Sequence, residues 1–275
     1  PHMRFQSSLL LVFLLFFSGM IDCYGDANSP RPNIIIILVD DMGFSDIGCY
    51  GGEIETPNLD KLASNGVRFT QFYNSGRCCP TRASLMTGLH PHQVGIGHMT
   101  EPPNQPLGIR GPYQGFLNND CRTLAQVLGS TGYHTIMTGK WHLGHADQNN
   151  WPLQRGFQYF YGGISGAFNY FKPGGDRGIT EGNTPVDTPD DWYATDAFTE
   201  KAIEYIDQAT AKDDNPFFLY LAFNSPHWPL NAKWDDYSKY RGKYTAGWQE
   251  MANQRFKKQK EIGLFGEDVK QAPLQ

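Results

Sequence analysis

The most constraining feature of the sequence is an apolar segment without polar interruption, Ile34 to Val39, which ends at Asp40 and Asp41. Runs of this β-branched type are typical of strands buried on both faces of a parallel sheet. A second apolar run extends from Phe217 to Phe223, and His227 lies just beyond its end. The first run therefore predicts an α/β protein whose chain opens with its central strand.

Helix and strand patterns alternate along the rest of the chain. Pro57 begins a predicted helix that Asn65-Gly66 closes, and Val67 to Phe72 is predicted as the next strand of a β-α-β unit. The remaining predicted elements are a helix after Pro80, a helix from about Cys121 to Ser130, a strand from Tyr133 to Met137, a helix from Asp191 to Ala209, and an amphipathic helix from Ala246 to Ile262 with its Arg255 to Lys260 run facing solvent. The stretch from Gly144 to Thr188 predicts a long loop region that shapes a pocket.

The composition excludes several classes of protein. The chain has 275 residues, of which 40% are hydrophobic and 19% charged, so long disorder and a coiled coil are excluded. Lys and Arg number 23 against 28 for Asp and Glu, which gives a net charge of −5. A surface of this charge argues against nucleic acid as a partner.

The N-terminal 25 residues have the layout of a signal peptide. Arg4 precedes an apolar run from Leu9 to Phe17, and a small-residue site follows at Cys23-Tyr24-Gly25. The run is shorter than the ~20 apolar residues that a membrane span requires. We therefore expect residues 1–25 to be removed and residues 26–275 to form an exported domain, periplasmic or extracellular, with no stable membrane span. The chain has no Asn-x-Ser/Thr acceptor site, which favours a bacterial origin.

Asp40 and Asp41 are the first candidate functional residues. Adjacent carboxylates at a strand end repel each other unless a cation lies between them, and oxygen ligands suit Ca²⁺ or Mg²⁺. The alternative is that one carboxylate caps the following turn while the other faces water.

Cys78 and Arg82 form a second candidate pair. Pro80 suits a first helical turn, so Cys78 is expected at a helix N-terminus, where backbone donors favour an anion. Arg82 lies four residues on and projects toward the same anion. The alternative is that Cys78 and Cys79 are buried filler or a strained vicinal disulfide. Cys49 and Cys121 are either buried apolar side chains or one bridge.

Lys140 and His142 are two residues apart, so they share a strand face if the strand continues, which puts a fixed cation beside a proton-transfer group. His227 follows the later apolar strand as the opposing acid. Because ligands bind beyond the carboxyl ends of parallel strands, we expect these clusters to converge on one site.

Four motifs resemble those of the sulfatase family and follow one another in the same order: Asp40-Asp41-Met42-Gly43, Cys78-x-Pro80-x-Arg82, Gly139-Lys140-Trp141-His142-Leu143-Gly144, and Ser225-Pro226-His227-Trp228-Pro229. The resemblance covers residues 33–230. It implies an alkaline-phosphatase-like α/β fold, with a mostly parallel central sheet and helices on both faces. Residues 26–275 would then be the N-terminal portion of a sulfatase catalytic domain, with the C-terminal part missing.

The resemblance also implies an activity, the release of inorganic sulfate from an aryl or carbohydrate sulfate ester. A formylglycine-generating enzyme acting on Cys78 to Arg82 would convert Cys78 to formylglycine, whose hydrate is the nucleophile. Asp40, Asp41 and the hydrate on residue 78 would bind one Ca²⁺. Arg82 and Lys140 would hold the nucleophile and the sulfate oxygens. His227 would protonate the leaving group. His142 would then remove the proton from the second hydroxyl of the hydrate on residue 78, which expels sulfate and regenerates the aldehyde.

One departure from the family pattern leaves other functions open. The family takes two more calcium ligands and a second active-site Lys from a later strand, and nothing after His227 matches them. This predicts weak calcium binding and an N-terminal fragment that is inactive as it stands. The alternatives are a phosphonate or phosphate ester hydrolase of the same superfamily and a non-catalytic secreted binding protein. The aromatic residues between Trp151 and Phe171 would either stack on a sugar or aryl ring of the substrate or simply pack the loop.

Overall fold

A six-stranded sheet organises the part of the chain that the computed structural model describes, residues 30–100 and 111–273. The strands are β1 (Ile34–Asp40), β2 (His134–Gly139), β3 (Tyr159–Gly162), β4 (Ile179–Glu181), β5 (Thr184–Val186) and β6 (Phe217–Pro226). Their order across the sheet is β1-β6-β2-β3-β4-β5. The pairs β1/β6, β6/β2 and β2/β3 are parallel, whereas β3/β4 and β4/β5 are antiparallel. The predicted signal peptide lies outside the described residues.

Helices cover both faces of β6. The helices are α1 (Pro57–Asn65), α2 (Cys78–Thr87), α3 (Leu124–Ser130), α4 (Ala194–Thr210), α5 (Trp234–Tyr237) and α6 (Trp248–Glu261). Phe218 and Tyr220 of β6 pack in a core with α2 and α3, and Leu219 and Leu221 pack in a second core with α4. The alternation follows from the two-residue period of a strand. The predicted α/β class, with a mostly parallel sheet, is confirmed. No helix among the described residues is long and apolar enough to cross a bilayer.

The predicted central position of the first strand is wrong. Within the described residues, β1 forms one edge of the sheet and pairs on one side only, with β6. Ile35 is 52% exposed and Ile37 is 49% exposed, while Ile36 and Leu38 pack against the core. β6 is instead an interior strand with a parallel neighbour on each side, and the helices on its two faces bury it.

The predicted strand from Val67 to Phe72 is also wrong, and with it the β-α-β unit. The helix before it forms as expected, but residues 67–72 have no strand conformation. Val67 is 81% exposed and Phe72 is 79% exposed. A segment of high β propensity becomes a strand only where a neighbouring strand accepts its backbone hydrogen bonds, and this segment pairs with none of the described strands.

The region predicted as a long loop contains β3, β4 and β5. Strands of three or four residues are too short to produce a visible alternation, which is why the sequence pattern misses them. Its aromatic residues are mostly core: those below 10% exposure are Phe157, Phe160, Tyr161, Phe168 and Tyr170. For these residues loop packing is the correct alternative.

The basic run on the last helix is a solvated face only in part: Lys257 and Lys258 are exposed, as predicted, but Arg255 and Gln259 are not. Arg255 of α6 forms ion pairs with Asp46 and Glu53, and Gln259 is 5% exposed and donates to the carbonyl of Tyr50. The helix thus docks on residues 45–53, the segment that follows the first strand.

Candidate active site

Asp40, Arg82 and Lys140 form a buried ionic group at the carboxyl ends of β1 and β2. Lys140 directly follows β2, and its Nζ lies 2.5 Å from Asp40 Oδ2. Arg82, one turn into α2, places Nη2 3.3 Å from Asp40 Oδ1 and donates through Nη1 to the carbonyl of Lys140 at 2.8 Å. None of the three is more than 5% exposed. The predicted convergence of the β1, α2 and β2 motifs is therefore found.

The charge balance of this group favours an anionic ligand. Burial lowers the pKa of Lys140, and the repulsion of Arg82 adds to this effect against the attraction of Asp40. Burial would also lower the pKa of Arg82, but Tyr220 and Asp40 outweigh it and raise that pKa. Two cations thus share one carboxylate, so an anion would complete the charge balance.

The guanidinium group of Arg82 has hydrogen-bond donors that its neighbours do not fully use. Within residues 30–100 and 111–273, its Nε has no hydrogen-bond acceptor and its Nη2 has only the ion-pair contact with Asp40, although the side chain is 1% exposed. Buried guanidinium donors are normally satisfied, and they match the oxygens of a tetrahedral anion.

Cys78, Cys79 and His142 form a second group beside the first. Cys78 is the first residue of α2, as predicted, and Arg77 is its N-cap. The Sγ of Cys79 lies 3.2 Å from His142 Nε2, and the donor atoms of all three residues lie within 4.8 Å of one another. All four described cysteines are free thiols, so neither the vicinal disulfide nor the Cys49/Cys121 bridge is formed.

The protonation of this group follows from its environment. A hydrogen bond from Cys79 lowers the pKa of Cys78, opposed by burial and helped by His142 and Lys140. Burial lowers the pKa of His142 to about 4. His142 is therefore a neutral imidazole near pH 7, able to accept a proton.

Asp41 and His227 lie on the side of the site that faces solvent. Asp41 has φ 65° and a side chain that is 61% exposed, and its Oδ2 lies 3.7 Å from His227 Nε2. His227 Nδ1 lies 2.5 Å from the carbonyl oxygen of Trp228. The hydroxyl of Tyr170 makes a bifurcated hydrogen bond to the carbonyls of Asn224 and His227. This contact holds the backbone from Asn224 to His227 in place.

Asn224 and Tyr220 are site residues that the sequence analysis missed. Asn224 is 1% exposed, and within the described residues neither polar atom of its side chain has a hydrogen-bond partner. Tyr220 accepts a hydrogen bond from Arg82 at 3.2 Å. The position of Asn224, directly before Ser225-Pro226-His227, was the available signal.

The residues present fit a hard divalent cation. The carboxylates of Asp40 and Asp41 offer the oxygen donors that Ca²⁺ prefers, and the amide of Asn224, two residues before the strand partner of Asp40, has no hydrogen-bond partner among the described residues. Asp40 already pairs with Lys140 and Arg82, so a cation here would share that carboxylate.

The family of the chain follows from comparison with known proteins. The family model for sulfatases matches residues 32–269. The chain belongs to the sulfatase family. It is 36% identical to an uncharacterized sulfatase of Schizosaccharomyces pombe, over 90% of this chain and 47% of that protein. It is also 36% identical to the arylsulfatase of Klebsiella aerogenes, over 88% of this chain and 53% of that enzyme. The chain thus spans about half the length of the curated sulfatases it matches. These relatives come from a fungus and a bacterium, so they do not decide the bacterial origin favoured by the sequence.

Solved structures agree with the family. Ps i-CgsB superposes with a TM-score of 0.68 at 31% identity, over 85% of this chain and 56% of that one. BT4656 in complex with its substrate D-glucosamine-2-N,6-O-disulfate gives a TM-score of 0.56 at 29% identity, over 72% of this chain and 35% of that one. The sulfatase fold predicted from the motifs is confirmed.

Proposed function

We propose that the protein is a sulfuric ester hydrolase that releases inorganic sulfate from an aryl or carbohydrate sulfate ester. The observation that carries the proposal is the buried Asp40, Arg82 and Lys140 group, whose two cations share one carboxylate and interact electrostatically with Cys78. A sulfate ester is a poor electrophile because its oxygens are negatively charged. Fixed positive groups in a water-poor site are the means of neutralising them.

Asp40 and Asp41 would hold Ca²⁺ together with residue 78, once a formylglycine-generating enzyme acting on Cys78 to Arg82 has converted that cysteine to formylglycine. When bound, calcium supplies charge neutralisation at the sulfate, and the hydrated aldehyde supplies the attacking hydroxyl. Cys78 is suited to this part because it starts α2, where backbone N–H groups and the helix dipole favour an anion.

The other side chains have separate tasks. Arg82 and Lys140 bind the sulfate oxygens. His227, on the open side, donates a proton to the departing alcohol or phenol oxygen. His142, whose pKa of about 4 keeps it neutral, takes the proton from the hydroxyl of residue 78.

The substrate class rests on the relatives. Several are named arylsulfatases, and BT4656 binds a sulfated glucosamine, so aryl and carbohydrate sulfates are the two classes to test. The leader-like residues 1–25 support export to the periplasm or the extracellular space.

The test is to express the chain with its converting enzyme and assay an aryl sulfate and an aryl phosphate in calcium, where any turnover would also overturn the expectation that the chain is inactive as it stands. Sulfate release that disappears in Cys78→Ala, together with an aldehyde at residue 78 by mass spectrometry, would support the proposal. Preferred turnover of the phosphate would point to a phosphate ester hydrolase. A thiol at residue 78 in protein from the native host would point to a binding protein instead. Replacing His227 should slow alkyl sulfates more than activated aryl sulfates, and equal losses would remove its role as the acid.

A further inference from the structure

Three soft sulfur atoms and one imidazole nitrogen meet at the N-terminus of α2, and the proposed hydrolysis does not use them all. Cys78 Sγ lies 3.9 Å from Met99 Sδ, and Cys79 Sγ lies 3.8 Å from the same sulfur. On its other side, Cys79 Sγ lies 3.2 Å from His142 Nε2. Cys79 and Met99 have no part in the reaction proposed above.

These separations are those of ligands around one metal ion. Two sulfurs bound at ~2.3 Å with tetrahedral angles are about 3.8 Å apart. The two thiol-to-thioether distances therefore need almost no adjustment, and the His142 contact at 3.2 Å needs a few tenths of an ångström. The backbone N–H of Thr100 points at Cys79 Sγ from 3.4 Å, a contact that steadies a metal-bound thiolate.

The donor set selects the class of ion. Thiolate, thioether and imidazole favour a soft cation such as Cu⁺, whereas Ca²⁺ and Mg²⁺ take oxygens. Zn²⁺ accepts thiolate and imidazole but gains nothing from the thioether of Met99. Charge also favours Cu⁺, since Cu⁺ with two thiolates carries one negative charge and the same site with Zn²⁺ is neutral. The neighbouring Lys140 and Arg82, which share a single carboxylate, stabilise the negative complex.

We propose that the chain, while residue 78 is still cysteine, binds one Cu⁺ through Cys78, Cys79, Met99 and His142. Two S–H bonds break, three Cu–S bonds and one Cu–N bond form, and two protons leave to solvent. No electron is transferred, because copper enters as Cu⁺ and stays so. This site shares Cys78 and His142 with the proposed hydrolase site but needs the unmodified thiol, so copper binding and formylglycine chemistry exclude each other at residue 78. Because Cys78 is only half-buried, its side supplies the path by which the ion enters.

The test is an oxygen-free titration of the unmodified chain with Cu⁺ against a coloured Cu⁺ chelator, after mass spectrometry has verified the thiol at residue 78. We expect one equivalent of Cu⁺ to bind. Because loss of an outer-shell partner alone costs 10–100-fold in metal affinity, removing a direct ligand with Cys79→Ser should weaken binding more than about a hundredfold. Met99→Leu, which keeps the side-chain volume, should weaken it about tenfold. The control Cys49→Ser removes a free thiol elsewhere and should change nothing.

Three results would overturn the proposal. The first is that Cys49→Ser reduces Cu⁺ binding as much as Cys79→Ser does. The others are that Met99→Leu binds Cu⁺ as tightly as the parent chain, or that the chain binds Zn²⁺ more tightly than Cu⁺. A second readout does not depend on affinity. One equivalent of Cu⁺ should protect Cys78 from alkylation and leave Cys49 reactive, and unchanged labelling of Cys78 counts against the site. If Cys79→Ser does not fold, judged by circular dichroism, Met99→Leu and the alkylation assay still decide. Failure of the aryl sulfate assay has no bearing on these outcomes.

Discussion

At the scale of single residues, Asp40 and Asp41 show how neighbours in sequence acquire different physical roles. Asp40 is 5% exposed and faces two buried cations, whereas the side chain of Asp41 is 61% exposed and faces His227 from 3.7 Å. The sequence treats them as one pair of carboxylates. Their burial makes Asp40 a structural counter-ion as well as a candidate ligand, and leaves Asp41 free for a ligand role.

Asp40→Asn should therefore cost far more stability than Asp41→Asn. Removing one partner of a buried ion pair leaves uncompensated charge and costs about 3–5 kcal/mol. The exposed Asp41 should cost less than about 0.5 kcal/mol. Urea unfolding of both variants measures the difference, and similar losses would show that Asp40 does not neutralise Lys140 and Arg82 in solution.

Gly139 is the second residue on which the site depends, because it turns the chain from β2 into Lys140. It has φ 102°, and a Cβ there would lie 1.9 Å from the carbonyl oxygen of Ala222. Gly139→Ala should destabilise the protein by more than about 3 kcal/mol, since both the backbone region and the contact are forbidden. Gly174→Ala is the control, because nothing lies within 4 Å of its added Cβ. Thermal unfolding of the two variants should differ widely, and matched melting temperatures would contradict the geometry.

At the scale of elements, α6 is attached to the segment after β1 by two side chains spaced four residues apart. Arg255 reaches Asp46 at 2.7 Å and Glu53 at 2.6 Å, and Gln259 reaches the carbonyl of Tyr50 at 3.1 Å. The same Asp46 accepts a hydrogen bond from the backbone N–H of Gly43, two residues after Asp41. The helix α6 therefore holds in place the segment that follows the candidate metal ligands Asp40 and Asp41.

Arg255→Ala should lower the free energy of unfolding by about 1–2 kcal/mol, because it leaves the half-buried carboxylates of Asp46 and Glu53 without their cation. Lys257→Ala on the same helix, at 80% side-chain exposure, should change it by less than about 0.5 kcal/mol. Guanidinium unfolding compares the two. Equal effects would mean that α6 contributes only its helical propensity.

The contact between β4 and α4 predicts a pH dependence. Burial raises the pKa of Glu181, but hydrogen bonds from Lys201 at 3.0 Å and Tyr205 at 2.8 Å outweigh it and lower that pKa. A carboxyl whose pKa is lower in the folded state stabilises the protein above its unfolded pKa, about 4.3, and loses this contribution as the pH falls through the folded pKa. Because the side chain is 41% exposed, the contribution should stay below about 1 kcal/mol.

Glu181→Gln should therefore be less stable than the parent chain at pH 7, with the gap closing below about pH 4. Urea unfolding measured across that range checks it. A gap that is constant with pH would assign the loss to packing instead of charge.

At the scale of the whole molecule, the parts that local pattern could predict differ from those that it could not. The motifs predicted that Asp40, Arg82 and Lys140 come together, and they do, because in a parallel sheet the strand ends bring such residues to one edge. Pattern could not tell β1 from β6, since two apolar runs of the same type differ only in how many neighbours each finds. Asn224 and Met99 went unnoticed because their importance comes from burial and proximity, which no short motif records.

The exposed edge of the sheet gives the last prediction. Within the described residues β1 has no partner on its outer side, and Ile35 and Ile37 are about half exposed. An unprotected apolar edge is a template for pairing with another chain, and a charge on such an edge is the usual protection. Ile37→Lys should reduce self-association of the protein, measured by sedimentation at increasing concentration, with a stability change of less than about 1 kcal/mol. Ile203→Lys is the matched control, because Ile203 is 56% exposed on α4, away from any strand edge. If both lysines reduced association equally, general surface charge would be the cause; an effect confined to Ile37 would identify β1 as the edge through which copies associate.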